Sequence, residues 1–245
     1  GIEAPRVQTA IRTAEVVKYA DNCFHALKIG FANEIGNICK ASGVDARESM
    51  EIFCLDTKLN IAPTYLKPGA AFGGSCLPKD LRALVHHARS SQLKVPLLDS
   101  VLEANEEQKK VAFDLVWATG KRKIGILGLS FKPDTDDLRE SPAVELAESL
   151  IGKGRDVEIY DKNVALARLV GANRVYIERE IPHIARLMKK TAAEVVAEAE
   201  VVVVTTKDPE FVDVVRGCSA DTHVIDLVGI VTRDEAPPTY EGICW

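Results

Sequence analysis

The spacing of hydrophobic positions changes near the middle of the chain. From Thr9 to Ala41 the run carries no proline, and Ser42-Gly43 supplies a stop, which predicts one helix. At 1.5 Å per residue such a helix would be about 50 Å long. That is too long for the edge of a small domain and predicts a spine, or one arm of a subunit interface. A shorter helix follows, with Asp45 as its N-cap. Leu59–Gly74, with Pro63 and Pro68, predicts irregular chain. Helix returns at Pro78, which suits a first helical position, and again from Pro96 to about Thr119. No strand pattern precedes residue 120.

Beyond Lys121 short apolar runs alternate with helical segments. KIGILGL (Lys123–Leu129), DVEIYD, VVVVTT and THVIDL read as strands. PAVELAESLIGKG, opened by Ser141-Pro142 and stopped at Gly152–Gly154, reads as helix, as do TAAEVVAEAE and PEFVDVVRG. Strand–helix alternation implies βαβ units and a parallel sheet, whose ligands bind at the carboxyl ends of the strands. The loop Gly128–Arg139 after the first strand is therefore the place to look. A domain boundary is expected near Lys121, dividing 1–120 from 121–245.

Composition narrows the class. The chain has 245 residues, enough for two domains, and a net charge of −5 with interspersed signs, which excludes an electrostatic footprint for nucleic acid. No apolar run approaches the ~20 residues that span a bilayer, so no membrane partner is expected. The six cysteines form no C-x-x-C, which points to free thiols in a reducing, cytoplasmic compartment. His86 and His87 are adjacent and point apart, and no His/Cys/Asp set has zinc spacing, so no metal is assigned.

Three features carry candidate chemistry. In AFGGSCLPKD, Cys76 follows Gly73, Gly74 and Ser75 and precedes a helix start. Free amides and the helix dipole favour a thiolate there, and the glycines let a substrate approach the backbone. The competing reading is a Gly-rich turn with a buried cysteine. On the long helix, Lys18, Asn22, His25 and Asn33 fall within a sector of about 80°. That line is about 22 Å long, enough to track an extended nucleotide sugar. A solvated polar face is the alternative, opposed by the apolar residues Tyr19, Phe24, Leu27, Phe31 and Ile35 around the remaining girth, which predict a mostly buried helix. Third, SFKPDTDDLRESP sets Lys132 and Arg139 among acidic residues ahead of a helix start, which suits phosphate as well as it suits a solvated loop. GILGLS lacks the full G-x-G-x-x-G pattern, and an ordinary tight turn explains it equally well.

The combination of Lys-x-x-x-Asn on a helix, a G-G-S-C loop and a following α/β segment resembles the nucleotide-sugar 6-dehydrogenases, the UDP-glucose/GDP-mannose dehydrogenase family. The similarity runs along essentially the whole chain. It rests on AFGGSCLPKDLRAL, FANEIGNICKASGVD, LGLSFKPDTDDLRESP, VELAESLIGKG and the terminal EGICW, and is strongest to the branch acting on GDP-mannose. The resemblance implies an all-helical central dimerisation domain built on one spine helix, then a Rossmann-like parallel-sheet domain that binds the nucleotide sugar. It also implies that an N-terminal domain with the main NAD site is missing, so that this chain alone is inactive.

The family reaction is a four-electron oxidation of a sugar C6 alcohol to a carboxylate with two NAD+, through a cysteine thiohemiacetal and thioester. By resemblance Cys76 is the nucleophile. Lys18 and Asn22 stabilise the oxyanion and hold water, and Asp80 assists proton transfer. His25, Asn33, Tyr65, Lys67, Ala70, Gly73 and Lys132 fall on substrate positions, and Lys79 and Arg139 on positions that touch NAD. Thr64 stands where a tyrosine is usual and Lys67 where an arginine is. Lys67 keeps charge but loses the planar fork, which bears on nucleotide preference. The rivals are a UDP-glucose or other UDP-sugar member, a two-electron hydroxyacid dehydrogenase, and a non-catalytic nucleotide-binding and dimerisation fragment. The G-G-S-C loop argues against the second.

Overall fold

The computed structural model describes residues 7–41, 43–57, 67–90, 96–131, 135–164 and 181–245. Four helices come first: α1 (Ile11–Ala41), α2 (Ala46–Cys54), α3 (Leu77–Ser90) and α4 (Pro96–Ala118). The 31 residues of α1 make a rod of about 46 Å. Asp45 caps α2 as its sequence predicts, its carboxylate accepting from the Arg47 and Glu48 amides at 2.8 and 3.2 Å. A small core of Cys23, Ala26, Phe72, Leu81, Val85 and Val101 joins α1, α3 and α4.

The second half is a sheet flanked by helices: β1 (Lys123–Leu127), α5 (Pro142–Gly152), β2 (Asp156–Tyr160), α6 (Ala192–Glu198), β3 (Val201–Val204), α7 (Glu210–Arg216), β4 (His223–Asp226) and β5 (Tyr240–Gly242). All pairings are parallel and the order is β2-β1-β3-β4-β5. Side-chain alternation divides the core into two layers. Ile124, Ile126, Val201 and Val203 face α5 and the end of α4. Leu127, Val202 and Val204 face Ala192, Val195, Phe211 and Val215 of α6 and α7. The four valines of β3 are fully buried, as a central parallel strand covered on both faces requires. The chain leaves β1 for β2 and returns past it to β3, which opens a crevice at the carboxyl ends of β1 and β3.

The structure adds one strand and changes two expectations. Strand β5 has no readable period: it is three residues long and, among the described residues, pairs only with β4. Ser141 occupies the N-cap position of α5 without capping it; its buried hydroxyl donates to the Leu129 carbonyl at 2.6 Å. Nor is α1 mostly buried: its first two turns, Lys18 included, are exposed, and Val16, Val17, Phe24 and Phe31 face outward while Asn22, His25 and Asn33 turn in.

Candidate active site

The polar line of α1 meets the start of α3. Cys76 is the residue before α3, and its carbonyl accepts the Asp80 amide at 2.9 Å, so it stands at the helix N-cap position. One turn in, the Asp80 side chain is buried and receives Lys18 Nζ at 2.5 Å together with the Asn22 side-chain amide. Lys79 Nζ lies 3.3 Å from the other carboxylate oxygen, which has no partner in hydrogen-bond geometry. Burial pushes the Asp80 carboxyl up, but the donors Lys18, Asn22 and Lys79 outweigh it and hold the group below its ordinary value. The hydrogen bond to Asp80 raises Lys18 in turn, with the nearby Cys76 adding to the effect. The result is an ionised Lys–Asp pair with an amide beside it, next to an exposed thiol.

Cys76, Asn22 and His25 line a cleft of about 530 Å³. Its opposite wall is the crevice of the sheet: Phe131 after β1, Thr205, Thr206 and Lys207 after β3, and Leu227 and Val228 after β4. Lys67, Ala70 and Gly73 form the floor between the two walls. That floor is held by side-chain amides. Asn33 accepts the Gly69 amide at 2.9 Å, Gln108 donates to the Gly69 carbonyl at 2.6 Å, and Asn105 bonds both backbone groups of Phe72 at 2.8 and 2.9 Å. Asn33 is 3 % exposed and reaches the cleft only through the backbone it holds. A neighbouring cavity of about 290 Å³ lies between α4 and α5, lined by Lys109, Phe113, Ser141 and Glu145, away from the thiol.

Sequence reasoning assigned no role to Phe131, Thr205, Thr206 or Lys207. The signal was the TTK that closes VVVVTTK at the strand end beside the crevice. Burial, then the charges of Lys67 and Arg47, push the Lys207 ammonium below its ordinary value, against the pull of Asp226. Asp226 itself is committed: its oxygens accept the Val228, Gly229 and Ile230 amides and the Tyr240 hydroxyl. The cleft wall is therefore cationic and suits an anionic ligand.

The glycine pair of the cysteine loop has a reason beyond the expected one. A Cβ on Gly73 would lie 2.3 Å from the Glu140 carbonyl oxygen and 2.5 Å from Pro142 Cδ. One on Gly74, at φ +83°, would meet the Phe131 ring at 2.8 Å. Close approach by the loop ahead of α5 demands the glycines, and Gly73 opens to the cleft as well. Glu140 has φ +51°, a left-handed conformation that costs a non-glycine residue roughly 1–2 kcal/mol. Its carbonyl accepts the Gly74 amide at 3.3 Å and its carboxylate meets Arg82 of α3 at 2.5 Å.

Of the two residues expected at the cofactor, Lys79 lies beside Asp80, and Arg139 grips Asp137 through two bonds of 2.8 and 2.7 Å. Tyr65 and Lys132 lie outside the described residues.

A paired Lys–Asp next to an exposed cysteine stands at the mouth of a cleft facing a parallel sheet, the arrangement that the resemblance in the sequence anticipates. Comparison with family models agrees: residues 12–107 match the central domain of the UDP-glucose/GDP-mannose dehydrogenase family, and residues 125–233 match its UDP binding domain. The chain belongs to this family. It is 50 % identical over 245 residues to the GDP-mannose 6-dehydrogenase of Pseudomonas putida, covering 100 % of this chain and 56 % of that protein. Against the UDP-glucose 6-dehydrogenase AglM of Haloferax volcanii the identity is 36 % over 236 residues, covering 94 % of this chain and 52 % of that protein. Among solved structures, a ternary complex of GDP-mannose dehydrogenase from Pseudomonas aeruginosa matches with a TM-score of 0.70 at 49 % identity, covering 100 % of this chain and 56 % of that one. A UDP-glucose dehydrogenase from Pyrobaculum islandicum matches with a TM-score of 0.83 at 33 % identity, covering 99 % and 54 %. The chain thus spans about half the length of the curated relatives it matches.

Proposed function

We propose that this chain is the central and C-terminal part of an NAD-dependent GDP-mannose 6-dehydrogenase, which oxidises GDP-mannose to GDP-mannuronate for polysaccharide synthesis of the alginate type. Residues 1–120 supply the nucleophile and the dimer contact, and residues 121–245 hold the nucleotide. The observation that carries the reading is the convergence of Cys76, Lys18, Asn22 and Asp80 at one mouth of the cleft, with Lys67 and Lys207 in its walls.

The residues then divide the work. Cys76 presents its sulfur to the carbonyl carbon of the C6 aldehyde, from a loop whose backbone is pinned on both sides. Lys18 and Asn22, one helical turn apart, donate to the developing oxyanion. Asp80 keeps Lys18 charged and orients the water that cleaves the thioester. Lys67 and Lys207 attract the diphosphate.

The main NAD site is assigned, on this reading, to a part of the protein outside this chain, and three features support the assignment. A Cβ on Gly125 would meet Val195 and Ala199, and one on Gly128 would meet Thr206, so packing within the sheet half accounts for both glycines. Asp161, at the end of β2, spends its carboxylate on Leu129 and Ser130. Lys79 is paired with Asp80 and Arg139 with Asp137, so both cations already have carboxylate partners. Outward Val16, Val17, Phe24 and Phe31 on α1 support a homodimer through that helix, and six free cysteines fit the cytoplasm.

Two measurements test this. The full-length protein should reduce NAD+ with GDP-mannose in preference to UDP-glucose, and Cys76→Ser should abolish carboxylate formation. The isolated chain should bind GDP-mannose in calorimetry, more weakly as salt rises, and give no NADH. A preference for UDP-glucose hands the reading to the UDP-sugar branch. Tight NAD+ binding by this chain overturns the cofactor assignment.

A further inference from the structure

The loop that carries Cys76 is not held by the helical half of the chain alone. Its contacts come largely from the stretch between β1 and α5. The Phe131 ring lies against Gly74, the Glu140 carbonyl receives the Gly74 amide and fills the space where a Gly73 side chain would stand, and Pro142 closes the same side. Ser75 adds to the pull that keeps Asp137 ionised, Arg139 being the main cause. From the helical side, Arg82 on α3 reaches back to the Glu140 carboxylate at 2.5 Å. Glu140 thus touches the loop with its backbone and the helix behind the loop with its side chain, and it does both from a left-handed conformation at φ +51°. A strained residue persists only where its surroundings over-determine it, and such residues concentrate at functional sites.

We infer that Glu140 is a positioning residue that fixes the height and direction of the Cys76 sulfur at the cleft mouth, by clamping residues 73–76 between its carbonyl and its ion pair with Arg82. The inference rests on Cys76 being the nucleophile. It adds a dependence of that nucleophile on the sheet half of the chain, which neither the cysteine motif nor the Lys18–Asp80 cluster requires. The ion pair is half-exposed, with side-chain accessibilities of 51 % and 40 %, so its contribution to global stability is small and its effect is local.

A charge swap separates positioning from folding. In the full-length protein and in this chain, Arg82→Glu, Glu140→Arg and the double exchange are compared with the parent. Each single variant places like charges together and should open the clamp, while its melting temperature stays within about 2 °C of the parent. The iodoacetamide alkylation rate at Cys76, read peptide by peptide by mass spectrometry, should change at least about threefold in each single variant. The double exchange should restore it to within about twofold. In the full-length protein the single variants should lower kcat about tenfold while KM for the nucleotide sugar holds within about twofold. Alkylation rates equal to the parent in both single variants would overturn the inference, and so would a change that the exchange fails to reverse. Because alkylation needs no turnover, these outcomes stand apart from the Cys76→Ser test, which alone decides whether the thiol is the nucleophile.

Discussion

Two glycines inside α1 should respond to alanine with opposite signs, and the structure sets the size of the difference. Alanine replaces glycine in a helix interior with a gain of about 0.8–1.0 kcal/mol. At Gly30 a Cβ would meet nothing within 4 Å among the described residues, so the gain should appear almost undiminished. At Gly36 the same atom would lie 2.7 Å from Pro68 Cβ and 3.0 Å from both Cβ and Sγ of Cys244. Carbon contacts relax near 3.5 Å, so the helix must back away by roughly 0.8 Å. Pro68 is a ring and cannot swing aside. It is followed by Gly69, which Asn33 and Gln108 hold from α1 and α4. Overpacking of this kind costs about 1–3 kcal/mol. A strained hydrogen bond at Gly69 adds about 1 kcal/mol. Subtracting the helix gain leaves Gly36→Ala destabilised by about 1–3 kcal/mol. For a chain of this size that is a fall of about 2–12 °C in melting temperature, against a rise of about 2–4 °C for Gly30→Ala. Scanning calorimetry on the two variants and the parent reads the difference directly. Equal melting temperatures for the two variants would refute the claim that α1 is seated on Pro68 and Cys244.

Two further expectations concern titration and thiols. The Asp80 carboxyl is held below its ordinary value, so its contribution is complete above the unfolded value near 3.9 and fades as pH falls through the lower folded one; the gap in urea midpoint between parent and Asp80→Asn should therefore be full at pH 7 and narrower at pH 3, and a gap unchanged at pH 3 would count against the Lys18–Asp80 pair. At pH 8 Cys76, the exposed cysteine among six, should be alkylated first, with Cys218 and Cys244 last because burial pushes both thiols up to about 11; labelling of either ahead of Cys76 would contradict the geometry.

The helices, the alternation of strands and helices, and the polar line of α1 were legible because each is a local signal. A 31-residue helix without proline and a run of four valines declare themselves within a short window. Lys18, Asn22 and Asp80 come together because α1 crosses α3 at the right turn, and the i, i+4 spacing on α1 pointed to two of the three. What escaped depends on contacts across the chain. Gly73 and Gly74 read as room for a substrate, yet Glu140 and Phe131, more than fifty residues later, occupy much of that room. Asn33 sits on the polar line but spends its amide on Gly69. Lys207 carries no motif; only the strand order, which returns the chain past β1 to β3, places it opposite His25 across the cleft. Strand β5 is too short for a period to show.

The length of α1 has a mechanical side. Gly36 and Lys18 are 18 residues apart, a lever arm of about 27 Å. Catalytic groups tolerate displacements of about 1 Å before rates fall steeply. At that arm, 1 Å corresponds to a tilt of about 2°. The seat on Pro68 and Cys244 therefore works as the fulcrum of a stiff beam whose far end carries the ammonium. An angular error too small to disturb the contacts at the seat is magnified into a misplaced charge beside the thiol, so on the proposed reading the tolerances of the reaction are machined at the end of the helix far from Cys76.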